Sequence, residues 1–526
     1  MNYKINKASN IYDLNTIIKE HYHLNELEFE KLQTFELTNP KNLTNIESCL
    51  NILRDILVKK EKILIVGDYD CDGICATAIL CRAFSRVGID YGFYIPNRLT
   101  EGYGLNVSIL QKAIDKGYKN VITVDNGVKA FDAMEFASKN KLRLIITDHH
   151  TYEIEDIKCD CFLHPFLKDD EFVNCSGAGI ALQIARCMIP NDKEIVCFAA
   201  LAAIADCINV TKENRNIIKK GIEYLNEGCC PTLHALKNKP QDTFNMKMMS
   251  FSIIPKINAM GRLCDCVNVN NAVRYLLLED LNAIYNSASQ INQVNELRKE
   301  KTSEMDKIAQ TLLQNHDFEI ISHKDFHEGV VGLLASKLSN QYQKPFIVLS
   351  EDENKYKGSI RSVEGLNLIN YFKDFKEFEK FGGHSQAAGI TISKDKYINL
   401  KEYVQNHEII LDEIDNSIYC EYIHEHALNI KDVQRYLSLE PFGNGFEEIN
   451  FYIRNIQIKN INKLSNGKYT KIQSTNNITY LFFKQDLQDK IKEYMNIVGK
   501  LSINEFRGNY EINIIVDDIL EVNDDE

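Results

Sequence analysis

Between Ile63 and about Ala185, short apolar runs alternate with stretches in which apolar residues recur every three or four positions. The runs ILIV (Ile63 to Val66), VITV (Val121 to Val124) and LIIT (Leu144 to Thr147) are rich in β-branched residues, as strands buried on both faces are. The intervening spacing predicts a helix near 74–86, a strand at 91–95, and helices near 105–116 and 129–139. Strand and helix alternating in this way predict a parallel sheet covered on both sides. The longest apolar stretch, 195–205, is too short to cross a bilayer and stops at Asp206, so it reads as a buried helix that delivers a carboxylate.

Further along, Leu277, Leu281, Ile284, Ala288, Ile291, Val294, Met305, Ile308 and Leu312 keep helical spacing and predict one long helix over 271–315. Its middle, NELRKEKTSE, has little apolar face, which suits a connector between domains. A second α/β unit follows, with strands expected around 318–322, 346–349 and 389–392 and glycine-containing turns at GSIRS (358–362) and FGGHSQAAG (381–389). After about Asp415 the pattern changes to short strands at 451–458, 469–473, 478–483, 496–501 and 510–516, with a helix-like insert at 485–494, which fits a small OB-type barrel. Residues 1 to about 45 are a polar, Asn-rich lead-in expected to fold as short helices.

What the strand ends carry adds chemistry to this outline. VGDYDCDG (66–73), VDNG (124–127), TDHH (147–150), HP (His164, Pro165) and AIADC (203–207) place carboxylates or imidazoles where apolar runs stop. In open α/β sheets, ligands bind at the carboxyl edge of the strands. Asp68, Asp70, Asp72 and Gly73 also match the opening of an EF-hand loop, but that loop requires Glu at its twelfth position, here Ile79, and a helix rather than a strand in front. Solvated turn carboxylates would account for any one cluster, but poorly for several in register with strand ends. Asp and His donors without thiolates suit manganese or magnesium, and His149 favours manganese. Carboxylates from separate strand ends can bridge two ions about 3.5–4 Å apart, an arrangement that serves in-line displacement at phosphorus. Phosphoester hydrolysis is therefore the leading chemistry.

Composition narrows the setting. The 526 residues, 44% hydrophobic and 26% charged, are ordinary for a globular chain. The opening MNYKINKASNIYDL lacks the apolar core of a secretory signal and no run is long enough for a membrane span, so a cytoplasmic protein without a membrane partner is expected. The 15 cysteines fit a reducing compartment. Their close pairs, Cys159 with Cys161, Cys229 with Cys230 and Cys264 with Cys266, lack the spacing of zinc knuckles and read as free thiols. A net charge of −13 would disfavour a nucleic-acid partner if it were spread evenly. From 451 to 513, however, ten Lys and Arg stand against five Asp and Glu, partly offset by an acidic tail at 517–526.

These strings resemble a known superfamily. GDYDCDG, VDNG, TDHH and the downstream Asp206 are similar to the signatures of DHH phosphoesterases, and FGGHSQAAG is similar to the hallmark of the DHHA1 domain. Within it the chain resembles the RecJ family of single-strand-specific 5′-to-3′ exonucleases, through IPNRLTEGYG (95–104), SGAGIAL (176–182), PKINAMGRL (255–263), FHEGVVGLLASKL (326–338), GSIRSVEGLNL (358–368) and LEPFGNGFEEINF (439–451), in the family's order. The resemblance implies an α/β architecture: a lead-in at 1–45, a parallel-sheet DHH catalytic domain at 46–270, a connector helix at 271–316, an α/β DHHA1 domain at 317–412 and an OB-like nucleic-acid-binding domain at 415–526. It implies that Asp70, Asp72, Asp125, His149 and Asp206 hold two divalent ions, Mn2+ in preference or Mg2+, that Asp68 supports them, and that His150 lies against the scissile phosphate. Arg98, Ser359 and Arg361 would receive the terminal phosphate, and Arg262 and His384 would line the strand's path. A planar guanidinium grips phosphate through two hydrogen bonds, which makes the arginine assignments chemically sensible. The implied partner is single-stranded DNA with a 5′ end, with a single-strand-binding protein and a helicase as accessory partners in recombination and repair.

Departures from the family pattern are expected to fall on the substrate channel: Lys256 for a usual Arg, Phe326 for a usual Trp, Gln386 for a usual His, and His164 where Asn is frequent. They predict altered affinity rather than lost activity. The extra C-terminal domain of larger relatives is expected to be missing. Two other functions compete. A small phosphodiesterase acting on short oligonucleotides or cyclic dinucleotides would have no use for the barrel, and a non-catalytic single-strand-binding replisome scaffold would not need the full ligand set. Inorganic pyrophosphatase would need neither the FGGH string nor a basic barrel.

Overall fold

The computed structural model describes residues 2–6, 13–412, 415–464, 468–506 and 508–520. The chain forms two compact units, one of Met1–Leu37, Asn209–Thr211 and Asp415–Glu526, the other of Thr38–Ile208 and Lys212–Ile414. Strand β1 (Asn2–Asn6) pairs with a C-terminal strand and belongs to the first. In the second unit, β2 (Ile63–Val66), β3 (Tyr91–Tyr94), β4 (Asn120–Val124), β5 (Arg143–Thr147) and β6 (Cys161–Leu163) make an all-parallel sheet in the order β3-β2-β4-β5-β6. Every residue of β2 and β4 is buried, as unbroken apolar runs demand when helices cover both faces. Leu64, Val66, Val121, Leu144 and Ile146 share a core with Ile109, Leu110, Ala133 and Met134 of helices Val107–Asp115 and Phe131–Lys139. Helices Cys71–Val87 and Gly177–Arg186 pack on the sheet as well. Helix Lys193–Ala205 is buried from Ile195 to Ile204 and presents Asp206 at its end, as the apolar run predicts.

The expected single helix over 271–315 is broken. Asn270–Leu276 forms one helix and Leu281–Leu312 another of 32 residues, with Asp280 capping the second by accepting the N–H of Ala283. Leu278, Glu279 and Asp280 interrupt the periodicity, and the Asp280 carboxylate offers the backbone a competing partner.

A second sheet carries β7 (Glu319–His323), β8 (Phe346–Glu351), β9 (Lys355–Arg361), β10 (Lys380–Gly383) and β11 (Ala387–Ser393) in the order β10-β11-β9-β8-β7. β7 and β8 are parallel and the other neighbours antiparallel. Two expected turns are strands: GSIR ends β9 and FGG ends β10, while the chain reverses at His384–Gln386. The Gly358 glycine reflects close strand approach rather than a bend, since a Cβ there would lie 2.0 Å from the Val348 carbonyl oxygen.

In the other unit, β12 (Ser417–Tyr422), β13 (Asn450–Leu464), β14 (Tyr469–Ser474), β15 (Thr479–Phe482), β16 (Tyr494–Phe506) and β17 (Asn509–Leu520) extend the sheet order β1-β12-β13-β14-β15-β17-β16, and pairing of β13 with β16 closes the last five into a barrel. Of the expected insert at 485–494 only Gln485–Gln488 is helical. The lead-in is more than short helices. Besides β1 it supplies helices Leu14–His21 and Glu26–Gln33, whose Leu14, Ile17, Ile18 and Phe29 join the barrel core with Tyr436, Phe451 and Ile497. Phe29 is fully buried, with the Arg435 guanidinium 4.3 Å from its ring centroid. Replacing it with Ala is expected to cost about 3–5 kcal/mol. Hydrogen exchange of Phe29→Ala should therefore show lost protection in β13 and β16 while β2 and β4 stay protected, and unchanged barrel protection would contradict the shared core.

Candidate active site

The acidic residues gather where strand ends and helix termini converge. Beyond β2 the chain runs through Gly67 and Asp68 to Asp70, whose carboxylate caps helix Cys71–Val87 by accepting the N–H groups of Asp72 and Gly73 at 3.0 and 3.1 Å. A Cβ on Gly73 would lie 2.6 Å from the Asp68 backbone, so the loop closes this tightly only over glycine. Asp72 is 2% exposed and accepts the N–H groups of Gly177 and Ala178, each at 2.8 Å, at the start of helix Gly177–Arg186, where the helix dipole favours negative charge. Asp125 follows β4 with φ of 62°, a left-handed conformation that Asp tolerates better than most residues. Helix Lys193–Ala205 contributes Asp206 from its C-terminus.

His149 stands among them. Its Nε2 is 3.1 Å from Asp125 Oδ1, 3.6 Å from Asp206 Oδ2 and 3.8 Å from Asp72 Oδ2. Donor atoms of Asp72, His149 and Asp206 lie within 4.8 Å of one another, as do those of Asp125, His149 and His150, and those of Asp68, Asp70 and Asp125. The triads overlap at His149 and Asp125, an arrangement suited to two neighbouring cations with common ligands. The electrostatics fit such ions. Burial, reinforced by the neighbouring carboxylates, holds the Asp68, Asp72 and Asp125 carboxyls above the ordinary carboxylate range. Asp206, whose side chain is 33% exposed, is pushed up to about 8 by partial burial and then by the charges of Asp72 and Asp70. Burial lowers His149, leaving a neutral imidazole. Oδ1 of Asp68 and Oδ1 of Asp125 are buried without a hydrogen bond, so this donor set of hard oxygens and one imidazole fits Mg2+ or Mn2+.

Beside this cluster lies a second layer that sequence reasoning missed. Asp148 Oδ1 accepts the N–H groups of His149 and His150 and sits 2.7 Å from His150 Nδ1, while Oδ2 accepts the N–H of Val128. Burial pulls the His150 imidazolium down, but the hydrogen bond and charge of Asp148 outweigh it and hold its pKa above the ordinary value. Tyr103 donates its hydroxyl to the Asp125 carbonyl at 2.9 Å and lies 3.3 Å from His150 Nδ1. Burial and four nearby carboxylates push the Tyr103 phenol far up, so it keeps its proton. Both residues stand inside the TDHH and IPNRLTEGYG segments, but a strand-end pattern does not reveal which members face the cluster. His164 is buried behind it. Its Nδ1 accepts the N–H of Phe166 and its Nε2 donates to the His150 carbonyl, so it props the loop.

The phosphate-type residues form a separate group in the same unit. Arg98, Arg262, Ser359 and Arg361 line one cavity of about 980 Å3, and His384 lines another of about 540 Å3 with Asp148 and His150. Arg361 is locked by Nε to Ser336 Oγ at 3.0 Å and by Nη1 to Ser359 Oγ and the Ile360 carbonyl. Arg98 stacks over the Tyr69 ring at 5.0 Å. Burial, then the charges of Arg98, Arg298 and Arg361, pushes Arg262 down to about 10. Among the described residues none of Arg98, Arg262 and Arg361 has a carboxylate in ion-pair contact, although Glu101, Glu328 and Glu379 also line this cavity. Two of the expected channel departures lie elsewhere: Lys256 is 5% exposed and donates to the Leu236 carbonyl, and Phe326 is 2% exposed in the core. Gln386, in the turn between β10 and β11, accepts the N–H of Ser362 just after β9 through its backbone carbonyl.

Comparison with known proteins follows the same layout. The DHH family N-terminal domain matches residues 62–208, the DHHA1 domain matches 307–410, and the RecJ OB domain matches 422–518. The chain belongs to the RecJ family. The single-stranded-DNA-specific exonuclease RecJ of Haemophilus influenzae is 28% identical over 537 residues, covering 91% of each chain. The Bacillus subtilis RecJ is 28% identical over 511 residues, and this chain spans 64% of its length. Among solved structures, RecJ of Thermus thermophilus in complex with Mn2+ superposes with a TM-score of 0.80 at 21% identity, covering 97% of this chain and 76% of that one. An exonuclease RecJ bound to manganese superposes with a TM-score of 0.61 at 25% identity, covering 69% of this chain and 94% of that one.

The raised carboxyl pKa values give this RecJ-family cluster a measurable signature. A carboxyl that titrates near 8 holds a proton at pH 7, and a cation needs the carboxylate, so ion uptake must expel the proton. Titrating metal-stripped protein with Mn2+ calorimetrically in buffers of differing ionisation enthalpy should show proton release at pH 7 and an affinity that rises toward pH 8. Affinity and proton balance independent of pH across that window would contradict the assignment.

Proposed function

We propose that this protein is a two-metal-dependent 5′-to-3′ exonuclease that hydrolyses phosphodiester bonds of single-stranded DNA, in the service of recombination and repair. One observation carries the reading: the arginine cavity and the His150 cavity share Tyr69, Tyr103, Gly382 and Gly383 as walls, so an anion-binding pocket adjoins a carboxylate cluster suited to cations. A strand whose end is held in the first would bring its next phosphate to the second. The relatives in Haemophilus influenzae and Escherichia coli are named single-stranded-DNA-specific exonucleases, in keeping with it.

In this reading Asp70, Asp72, Asp125, His149 and Asp206 hold two ions, Mn2+ in preference or Mg2+, with Asp68 in support. Two ions held there would supply an activated water and offset the charge that develops on the phosphoryl oxygens. His150, whose protonated form the adjacent Asp148 favours, faces the scissile phosphate, and Tyr103 fixes the Asp125 backbone beside it. Arg98, Arg361 and Ser359 hold the terminal phosphate, and Arg262 and His384 line the strand's path. A pocket that selects a phosphate serves successive rounds only if each cut leaves a new 5′-phosphate. The bond broken is therefore P–O3′: water oxygen joins phosphorus, the 3′-oxygen leaves with a proton, and a 5′-mononucleotide is released.

The barrel favours long strands over cyclic dinucleotides. Tyr469, Phe483, Tyr494 and Tyr510 are 39–51% exposed, and Tyr469 and Phe483 meet edge to face at 5.3 Å. Tyr480 and Phe482, also candidate stacking rings by sequence, are 0% exposed and fill the core, while the Phe506 side chain, Arg507 and the tail from 521 lie outside the described residues. A single-strand-binding protein and a helicase are the proposed accessory partners and the cytoplasm the proposed location. No helix among the described residues is long and apolar enough to cross a membrane. We assign the catalytic region to 46–270, the connector to 271–316, the DHHA1 region to 317–412 and the strand-holding region to 415–526.

Strands labelled at either end test the reading. Wild-type protein with Mn2+ should release mononucleotides from the 5′ side alone, and Arg361→Ala should lose about ten- to a hundredfold on 5′-phosphorylated strands, the worth of one charge-assisted contact, but far less on 5′-hydroxyl strands. Release from the 3′ side, or an equal loss on both substrates, would contradict it.

A further inference from the structure

The cavity that holds Arg98, Arg262 and Arg361 extends well past them. At about 980 Å3 it exceeds the needs of a single phosphate, and Lys355, Lys357 and Lys380 line its far part. The strand pattern explains why. Ile360 of β9 points into the hydrophobic core, so Lys355, Lys357, Ser359 and Arg361, two residues apart, share the opposite face and line the cavity in sequence. Register then brings in a third lysine: Lys357 is opposite Thr391 on β11, which is opposite Lys380 on β10. The floor beside Ser359 is bare backbone. Gly389 lies opposite Ser359 and Gly382 opposite Gly389, and a Cβ on Gly382 would meet nothing within 4 Å. Lys357 is paired with Glu328 at 2.9 Å, but among the described residues the side-chain amines of Lys355 and Lys380 have no hydrogen-bond or ion-pair partner.

Resting on the exonuclease reading above, we infer that this extension receives the outer phosphates of a polyphosphorylated 5′ end, so that the enzyme accepts strands beginning with a 5′-triphosphate as well as a monophosphate. The α-phosphate occupies the arginine end by Ser359, and the outer phosphates lie over the glycine floor toward Lys357, Lys355 and Lys380. Successive same-face positions on a strand are about 7 Å apart, within reach of a lysine side chain on a triphosphate tail. Such ends arise where a strand is started directly from a nucleoside triphosphate. Cleavage follows the same balance as before: water adds to the first internucleotide phosphorus, the 3′-oxygen leaves with a proton, and the first product is an intact nucleoside 5′-triphosphate with no free pyrophosphate.

The test uses one oligodeoxynucleotide sequence bearing a 5′-hydroxyl, a 5′-monophosphate or a 5′-triphosphate, with wild-type protein and the Lys355→Gln, Lys380→Gln double variant in Mn2+. Wild type should cleave the triphosphate strand with kcat/KM at least equal to that for the monophosphate strand, and chromatography of the first turnover should show the nucleoside triphosphate. The double variant should lose about tenfold on the triphosphate strand through KM and stay within about twofold on the monophosphate strand. The inference is overturned if the triphosphate strand resists cleavage while the monophosphate strand is cut, if pyrophosphate or phosphate appears first, or if the double variant loses equally on both strands. Failure to cut the monophosphate strand would instead remove the exonuclease reading, and this inference with it.

Discussion

Mutual repulsion among carboxylates held at the buried edge of a parallel sheet is the constraint on which the rest of this structure depends. Asp68, Asp72 and Asp125 are 2–3% exposed and their donor atoms crowd together with those of Asp70, Asp206 and His149. Carboxylates brought this close out of water protonate or find cations. The backbone is shaped to keep them there. Two N–H groups at the start of helix Gly177–Arg186 hold Asp72, Asp70 caps its own helix, and a Cβ on Gly177 would lie 2.4 Å from that of Asp125. Stability given up to gather these groups is returned when divalent ions bind, which ties metal affinity to folding.

The second sheet supplies the complementary positive charge. Its alternating strand faces send Ile360 and Ile390 to the core and Ser359 and Arg361 toward Arg98 and Arg262, so that cations concentrate next to the anionic cluster. The two sheets lie in one compact unit, and Tyr69 from the loop after β2 and Tyr103 from the loop after β3 border both cavities. A nucleic acid end offers the matching sequence of charges: a terminal phosphate, a neutral sugar and base, and an internal phosphate. Under the proposed function, recognition of the end and hydrolysis of the next bond would both belong to this one cavity system.

Much of this was legible in the sequence, for reasons that can be named. Fully apolar four- and five-residue runs can be little other than doubly covered strands, and the residues following them land at the carboxyl edge, so Asp68, Asp125 and His149 were placed by pattern alone. Long-range pairing left no such mark. Nothing local to residues 2–33 indicates that they complete the barrel sheet and core, because their apolar positions match a surface that only tertiary folding creates. The glycines of GSIRS and FGGHSQAAG pointed to turns, whereas two of them mark a close strand contact and a bare floor. Asp148 and Tyr103 act through His150 and the Asp125 backbone, contacts set by side-chain direction rather than spacing. Lys256 and Phe326 occupy places where the family pattern differs, but burial removes them from the expected channel.

The central claim is that the clustered carboxylates and His149 exist to hold two divalent ions side by side. Diffraction from Mn2+-bound crystals at the manganese absorption edge tests it most directly. Two anomalous peaks about 3.5–4 Å apart, each in contact with ligands from the Asp125 and His149 cluster, are the predicted result. A single peak, or manganese bound elsewhere with the cluster empty at saturating concentration, would contradict it.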